Sequence, residues 1–259
     1  TAAQDLKLLN GAAIFSDTFA AGDAGTVTIS ANSITIDGQG KPTAISSNAH
    51  KDSSGQAGGV QVTATQNLTV LNGGSIDSNT FATGDAGTIR VSAKNITLDG
   101  QGKVAAISSS AYPDSSGHAG SVEITATQNL SVLNGGNVFS DTHASGNAGT
   151  VKVSANDVTI DGQGALTIIS SSAYRGSSGK AGNVELTVSQ NLSLLNGGHV
   201  LSDTFATGDA GMVKVNANDI TVDGQGVVTL ISSNAGSNSS GKAGSVEVTA
   251  RENLWVLNG

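Results

Sequence analysis

A short phrase returns every 31 positions along this chain: an aliphatic residue, any residue, a serine, any residue, Thr or Ala, and usually an aromatic ring. Its first position falls at Ile14, Ile45, Ile76, Ile107, Val138, Ile169, Val200 and Ile231. The serine two places on never varies: Ser16, Ser47, Ser78, Ser109, Ser140, Ser171, Ser202 and Ser233. A fixed period of this length restricts a chain to architectures in which each repeat covers its neighbour and none forms a core alone. The fuller self-match is at 62 residues, because Asn10-Gly11 returns at Asn72, Asn134, Asn196 and Asn258-Gly259, while Asp37-Gly38-Gln39-Gly40 returns from Asp99, Asp161 and Asp223. Two variants of one unit therefore alternate, and the 259 residues hold eight units and eleven residues more.

Within a unit hydrophobicity alternates with period two, the mark of strands rather than helices. The phrase itself is the first strand, with Ile107, Ser109 and Ala111 on its inner side. The second is Val122 to Ala126, with Val122, Ile124 and Ala126 inward, and the third is Leu130 to Val132, ending at Asn134-Gly135-Gly136. Three strands and three corners close one turn. Stacked turns pair each strand in parallel with its copy ~4.8 Å away, so eight turns make a rod on the order of 40 Å long. The expected fold is all-β: a single right-handed, three-sided parallel β-helix over 1–259, of about 31 residues per turn, its hand following from the preference of parallel crossovers. Neither end shows a cap, so the chain reads as a piece of a longer array, with end-to-end self-association expected of its open strand edges.

Two columns speak for stacking. Before the third strand stand Ser33, Asn67, Asn95, Asn129, Asp157, Asn191, Asp219 and Asn253; Asn and Asp accept a left-handed corner and, stacked, form an amide ladder. Outward on the second strand stand Thr28, Gln61, Arg90, Glu123, Lys152, Glu185, Lys214 and Glu247. From Arg90 the sign alternates turn by turn, which reads as a device that holds register.

Composition excludes several functions. There is no cysteine, hence no disulfide and no thiolate chemistry. A net charge of −8 argues against nucleic acid. No apolar run approaches the ~20 residues of a membrane helix, and the first residues lack the order of a secretory signal.

No catalytic set, cofactor site or metal site is expected. His50, His118, His143 and His199 are scattered over corners and loops, and no Ser/His/Asp group stands out. The loop residues Asp23, Asp85 and Asp209, with Asn147 as the fourth copy, suggest calcium, but single carboxylates two turns apart, at ~9.6 Å, do not share an ion. The glycine pairs lack a phosphate loop's Lys-Ser/Thr ending. One enrichment remains. Just past Thr or Ala stand Phe19, His50, Phe81, Tyr112, His143, Tyr174, Phe205 and Gly236, and seven of these eight carry rings in a chain with 3% Phe, Trp and Tyr. They are the candidate surface contacts, either an exposed strip that stacks on sugars or protein or a column that covers one edge of the rod.

The runs Gly135-Gly136-Asn137-Val138-Phe139-Ser140, Ala148-Gly149-Thr150-Val151-Lys152-Val153 and Val158-Thr159-Ile160-Asp161-Gly162, with counterparts in every unit, resemble the repeats of filamentous haemagglutinin-like exoproteins, the secreted passengers of bacterial two-partner secretion. The resemblance implies a right-handed β-helix, export of the parent protein through an outer-membrane pore, and adhesion or filament building at the bacterial cell surface; the secretion domain itself is not in this segment. The expected function is thus a stalk or fibre segment of an extracellular adhesin, not an enzyme, with a cell-surface or extracellular glycan or protein as partner and many weak contacts as mechanism. Alternatives are a glycan-binding module built on the rings and, further off, a polysaccharide lyase-type enzyme, which needs clustered charged groups that break the repeat.

Overall fold

Alternation at period two becomes three short strands per turn, all paired in parallel with the next turn. The computed structural model describes residues 1–2 and 4–258; Gly259, of the last Asn-Gly copy, lies outside them. Among the described residues there is no helix. The chain is a β-solenoid. First strands, such as Ala105–Ser108, form an eight-stranded sheet from Ala13–Phe15 to Leu230–Ser232. Second strands, such as Val122–Ala126, and third strands, such as Asn129–Leu133, build the other two faces. These two merge into one 15-stranded sheet because Met212–Asp223 runs on through the corner between them, as does Ser245–Leu257.

The turn of 31 residues is a sum of unequal parts. First strands pair at a constant interval, Ile107 with Val138 and Val138 with Ile169. Second strands pair alternately 33 and 29 apart, Val27 with Val60 and Val60 with Ile89. Third strands alternate 34 and 28, Ile34 with Leu68 and Leu68 with Ile96. A short loop after the ring is thus followed by a long corner before the next first strand, and the next turn reverses them. Thr80 explains the short loop: its hydroxyl donates to the Gly84 carbonyl at 2.6 Å and accepts the Ala82 N–H at 3.2 Å. Thr142 and Thr204 do the same. Where Ala stands instead, the loop is longer and turns through a left-handed residue, Asp52, Asp114, Gly176 or Asn238.

Left-handed residues also make the corner before the first strand: Asn10, Asn72, Asn134 and Asn196 in one variant, Gln39, Gln101, Gln163 and Gln225 in the other. The column Asn67, Asn95, Asn129, Asn191 is not left-handed, contrary to the sequence expectation, because Asn67–Leu71 and its counterparts already begin the third strand there. The amide ladder is present. Asn95 Nδ2 donates to Asn67 Oδ1 at 3.0 Å and Asn129 Nδ2 to Asn95 Oδ1 at 3.1 Å. In the charged column Arg90–Glu123 (3.0 Å), Lys152–Glu185 (3.7 Å) and Lys214–Glu247 (3.0 Å) pair; exposed pairs of this kind contribute ~0–1 kcal/mol each.

Inside the rod Ile45, Ile76, Ile107, Val138, Ile169 and Val200 stack with Ile34, Leu68, Ile96 and with Val62, Val91, Ile124, all buried, while Ile14 and Ile231 in the end turns are partly buried. Each such side chain contributes ~1.5–3 kcal/mol by leaving water. The invariant serine belongs to this interior and has a specific partner, a glycine of the preceding turn. Ser47, Ser78, Ser109, Ser140, Ser171, Ser202 and Ser233 donate to the carbonyls of Gly25, Gly58, Gly87, Gly120, Gly149, Gly182 and Gly211 at 2.5–2.6 Å. A buried hydroxyl and a corner carbonyl thus satisfy each other, which is why the position admits no change.

Candidate functional site

Each ring follows a single-residue bridge between turns, Thr80 with Ala111 and Ala111 with Thr142, so the strand spacing sets ring over ring. Phe19, His50, Phe81, Tyr112, His143, Tyr174 and Phe205 form one continuous stack, with interplanar angles of 6–24°. Centroids within a 62-residue repeat lie 4.1–4.5 Å apart and those between repeats 6.1–6.2 Å. The rings therefore pair within each repeat. In the last repeat Gly236 takes the partner's place and Phe205 leans onto it, so that a Cβ there would lie 2.3 Å from the ring. Within the stack the rings lie face toward face; Phe19 and Phe205 at its ends are exposed, and the five rings between them are half-buried.

Beside the rings, two residues back along each strand, runs a polar column: Asp17, Asn48, Asn79, Ser110, Asp141, Ser172, Asp203 and Asn234. Each member up to Asp203 fastens the next turn. Asn79 Oδ1 accepts from Ser108 Oγ (2.7 Å) and the Ser110 N–H (2.8 Å). Asp141 accepts from Ser170 Oγ (2.9 and 3.0 Å) and the Ser172 N–H (2.6 Å), and Asp203 repeats this with Ser232 and Asn234. Asp141 is only 3% exposed. Burial pushes its carboxyl up to about 7, against the pull of the Ser172 and Ser170 hydrogen bonds. Asp77, two residues before Asn79, is pushed up to about 6, chiefly by loss of solvation, with the Ser75 hydroxyl opposing and the Asp17 charge adding. Burial raises Tyr112 and Tyr174 as well, reinforced by Asp77 and Asp141 at the first and by Asp141 and Asp203 at the second. It lowers His143. Removing a ring readmits water, so Tyr174→Ala is expected to move the Asp141 carboxyl down toward the ordinary value of 3.8, read by carbon-detected carboxylate titration; an unmoved Asp141 would mean that the strands alone desolvate it.

The acids were visible in the sequence as carboxylates flanking an invariant serine, but the inner or outer side of a strand does not tell whether neighbouring columns seal it. The structure also brings together Asp17, Ser46 and His50. Asp17 Oδ2 meets His50 Nε2 at 2.8 Å and Asp17 Oδ1 accepts from Ser46 Oγ at 3.0 Å. The order differs from that of a Ser-His-Asp triad: the carboxylate stands between serine and imidazole, so the Ser46 hydroxyl donates to Asp17 and not to His50. His118 and His199 stand apart from this group, His118 Nδ1 accepting the Asn147 N–H and His199 lying outward on a first strand with its imidazole lowered by burial. The loop acids are clasps between turns. Asp23, Asp85 and Asp209 accept the backbone N–H of Gln56, His118 and Lys242, as Asn147 does that of Lys180, and the Lys242 N–H, ahead of Lys180 and Lys242 charge, holds Asp209 below the usual carboxylate range. Among the described residues no three His, Asp or Glu side chains converge on a metal position. Alternate long loops leave a shallow groove of about 230 Å³ over Phe81, between Lys51-Asp52 and Pro113-Asp114. No helix is long and apolar enough to cross a membrane among the described residues. Comparison with protein-family models, curated proteins and solved structures finds no match.

Proposed function

We propose that the chain is a stalk or fibre segment of a secreted or surface-exposed bacterial adhesin, of the filamentous haemagglutinin-like kind, acting through extension and repeated weak contacts rather than catalysis. One observation carries the reading: on each face an outward column is engaged in fastening one turn to the next. The rings stack, the amides ladder, Arg90, Lys152 and Lys214 pair with the acid of the following turn, and Asp141 and Asp203 bind the next strand. Surface chemistry spent in this way supports a regular, stiff rod, and in the His50–Asp17 pair the carboxylate stands between imidazole and serine. Length is then the functional variable.

Deletion of one 62-residue unit, for example 76–137, tests this. Register is conserved, so the variant should fold, shorten by ~9.6 Å in small-angle scattering and lose surface adhesion in proportion to turns removed, as a sum of neighbour interactions implies. Abolition of binding by removal of one particular unit would overturn the reading in favour of a localised site.

A further inference from the structure

Four Asn-Gly corners are described, Asn10-Gly11, Asn72-Gly73, Asn134-Gly135 and Asn196-Gly197, and all four asparagines hold φ between 44° and 52°. Their local backbone is the same. What differs is the partner of the glycine N–H. Gly11 donates to Thr43 Oγ1 at 2.7 Å, Gly135 to Thr167 Oγ1 at 2.9 Å and Gly197 to Thr229 Oγ1 at 2.8 Å, each in the next turn. The residue that faces Gly73 in this way is Ala105, which has no hydroxyl. Gly73 also keeps contact with solvent, whereas Gly135 and Gly197 are buried.

We infer that Asn72-Gly73 is a site of spontaneous covalent modification, and that Thr43, Thr167 and Thr229 protect its three copies. The Gly73 nitrogen attacks Asn72 Cγ and gives up its proton; the new N–Cγ bond forms as the Cγ–Nδ2 bond breaks, and Nδ2 leaves as ammonia carrying that proton. Water then opens the cyclic imide at either carbonyl, leaving aspartate or its backbone-shifted isomer. One water is consumed, one ammonia is released and nothing is oxidised or reduced. Where a threonine holds the N–H, the attack must first break that hydrogen bond, and closing the ring must also draw the corner out of its left-handed shape. At Gly73 only the second cost remains. The four Asp-Gly corners are braked similarly, since Gly38, Gly100, Gly162 and Gly224 donate to the carbonyls of Leu71, Leu133, Leu195 and Leu257.

The consequence is structural. Asn72 donates its N–H to the Asp99 carbonyl at 3.1 Å, and two residues on Gly74 packs so tightly that a Cβ would lie 2.5 Å from the Ile36 carbonyl. The isomer inserts an extra backbone atom into this corner, where the packing leaves no room for it, and loosens the rod at one turn.

The test is peptide mapping by mass spectrometry of the folded chain aged in mildly alkaline buffer at physiological temperature. Asn72 should convert first, about three- to tenfold faster than Asn134 and Asn196, the rate counterpart of one hydrogen bond. Ala105→Thr should slow Asn72 to the rate of its copies, and Thr167→Ala should raise Asn134 to the rate of Asn72. In denaturant the four rates should converge. Equal rates in the folded chain, indifference to both substitutions, or a ranking that persists in denaturant would each overturn the inference.

Discussion

Replacing Gly149 by alanine is expected to destroy the packing of one corner and to cost about 3 kcal/mol or more, at or above the upper range for overpacked cores. A Cβ at this position would lie 2.0 Å from the Gly120 carbonyl oxygen and 2.6 Å from Ser140 Oγ. Neither yields cheaply. The first is backbone held at the strand spacing, and the second is the hydroxyl that donates to Gly120 and accepts the Gly149 N–H at 3.0 Å. To admit a methyl group two turns must separate, and the serine-to-glycine contact that links them is lost. Gly22→Ala is the control, since a Cβ there meets nothing within 4 Å. Denaturant unfolding should find Gly22→Ala within ~0.5 kcal/mol of the parent and Gly149→Ala far less stable. It should also be less cooperative, because a quasi-one-dimensional fold breaks where one interface fails. Equal midpoints for the two variants would show that the column gives way easily and that the invariant serine has another role.

Acidification is expected to stabilise the rod, opposite to the usual behaviour of a protein whose carboxylates are paired. Asp141 titrates at about 7 in the folded chain against an ordinary 3.8. Between these values the native state holds a proton that the unfolded state has released, so stability falls as pH rises from about 4 to about 7 and the full penalty stands above that. Each unit is worth about 1.4 kcal/mol, so the change across the window is several kcal/mol. Asp77, pushed up to about 6, adds in the same direction. Ser170 Oγ and the Ser172 N–H donate to Asp141, and its charge acts on the Tyr112 and Tyr174 hydroxyls. His143 and His199, both lowered by burial, work the other way, since they resist the protons that an unfolded histidine accepts below 6.5. The comparison with Asp141→Asn isolates the carboxyl. Asparagine is suited to the site because Asn79 already accepts the equivalent pair of hydrogen bonds in its own turn. The variant should be more stable than the parent at pH values above about 7 and lose the advantage as pH falls toward about 4. A constant difference across that range would place the Asp141 proton elsewhere.

The two predictions rest on parts of the molecule that were unequally legible beforehand. The interval from Ile14 to Ile231, the serine beside each aliphatic residue and the alternation of Val122, Ile124 and Ala126 follow from the chemistry of a repeated unit that has only its neighbours for a core. They dictated parallel stacking, the number of turns and which side of each strand is inward. The outward ring column was legible too, from its enrichment alone. Other features depended on distances that a pattern does not contain. The Asn67 column was expected to turn the corner, but the left-handed residues are Asn72 and Gln101, because where a strand begins is decided by its pairing partner.

The sequence by itself determined that this chain is a solenoid, since a 31-residue period with alternating small apolar residues has no other way to bury its interior. Only the tertiary structure decided what the repeats do with their outward chemistry. The rings stack from turn to turn, Asp141 is buried in the column beside them, and the choice of Thr or Ala one turn away gives Gly135 a hydroxyl partner that Gly73 lacks. These outcomes arise between turns, where residues about thirty positions apart meet within hydrogen-bond distance.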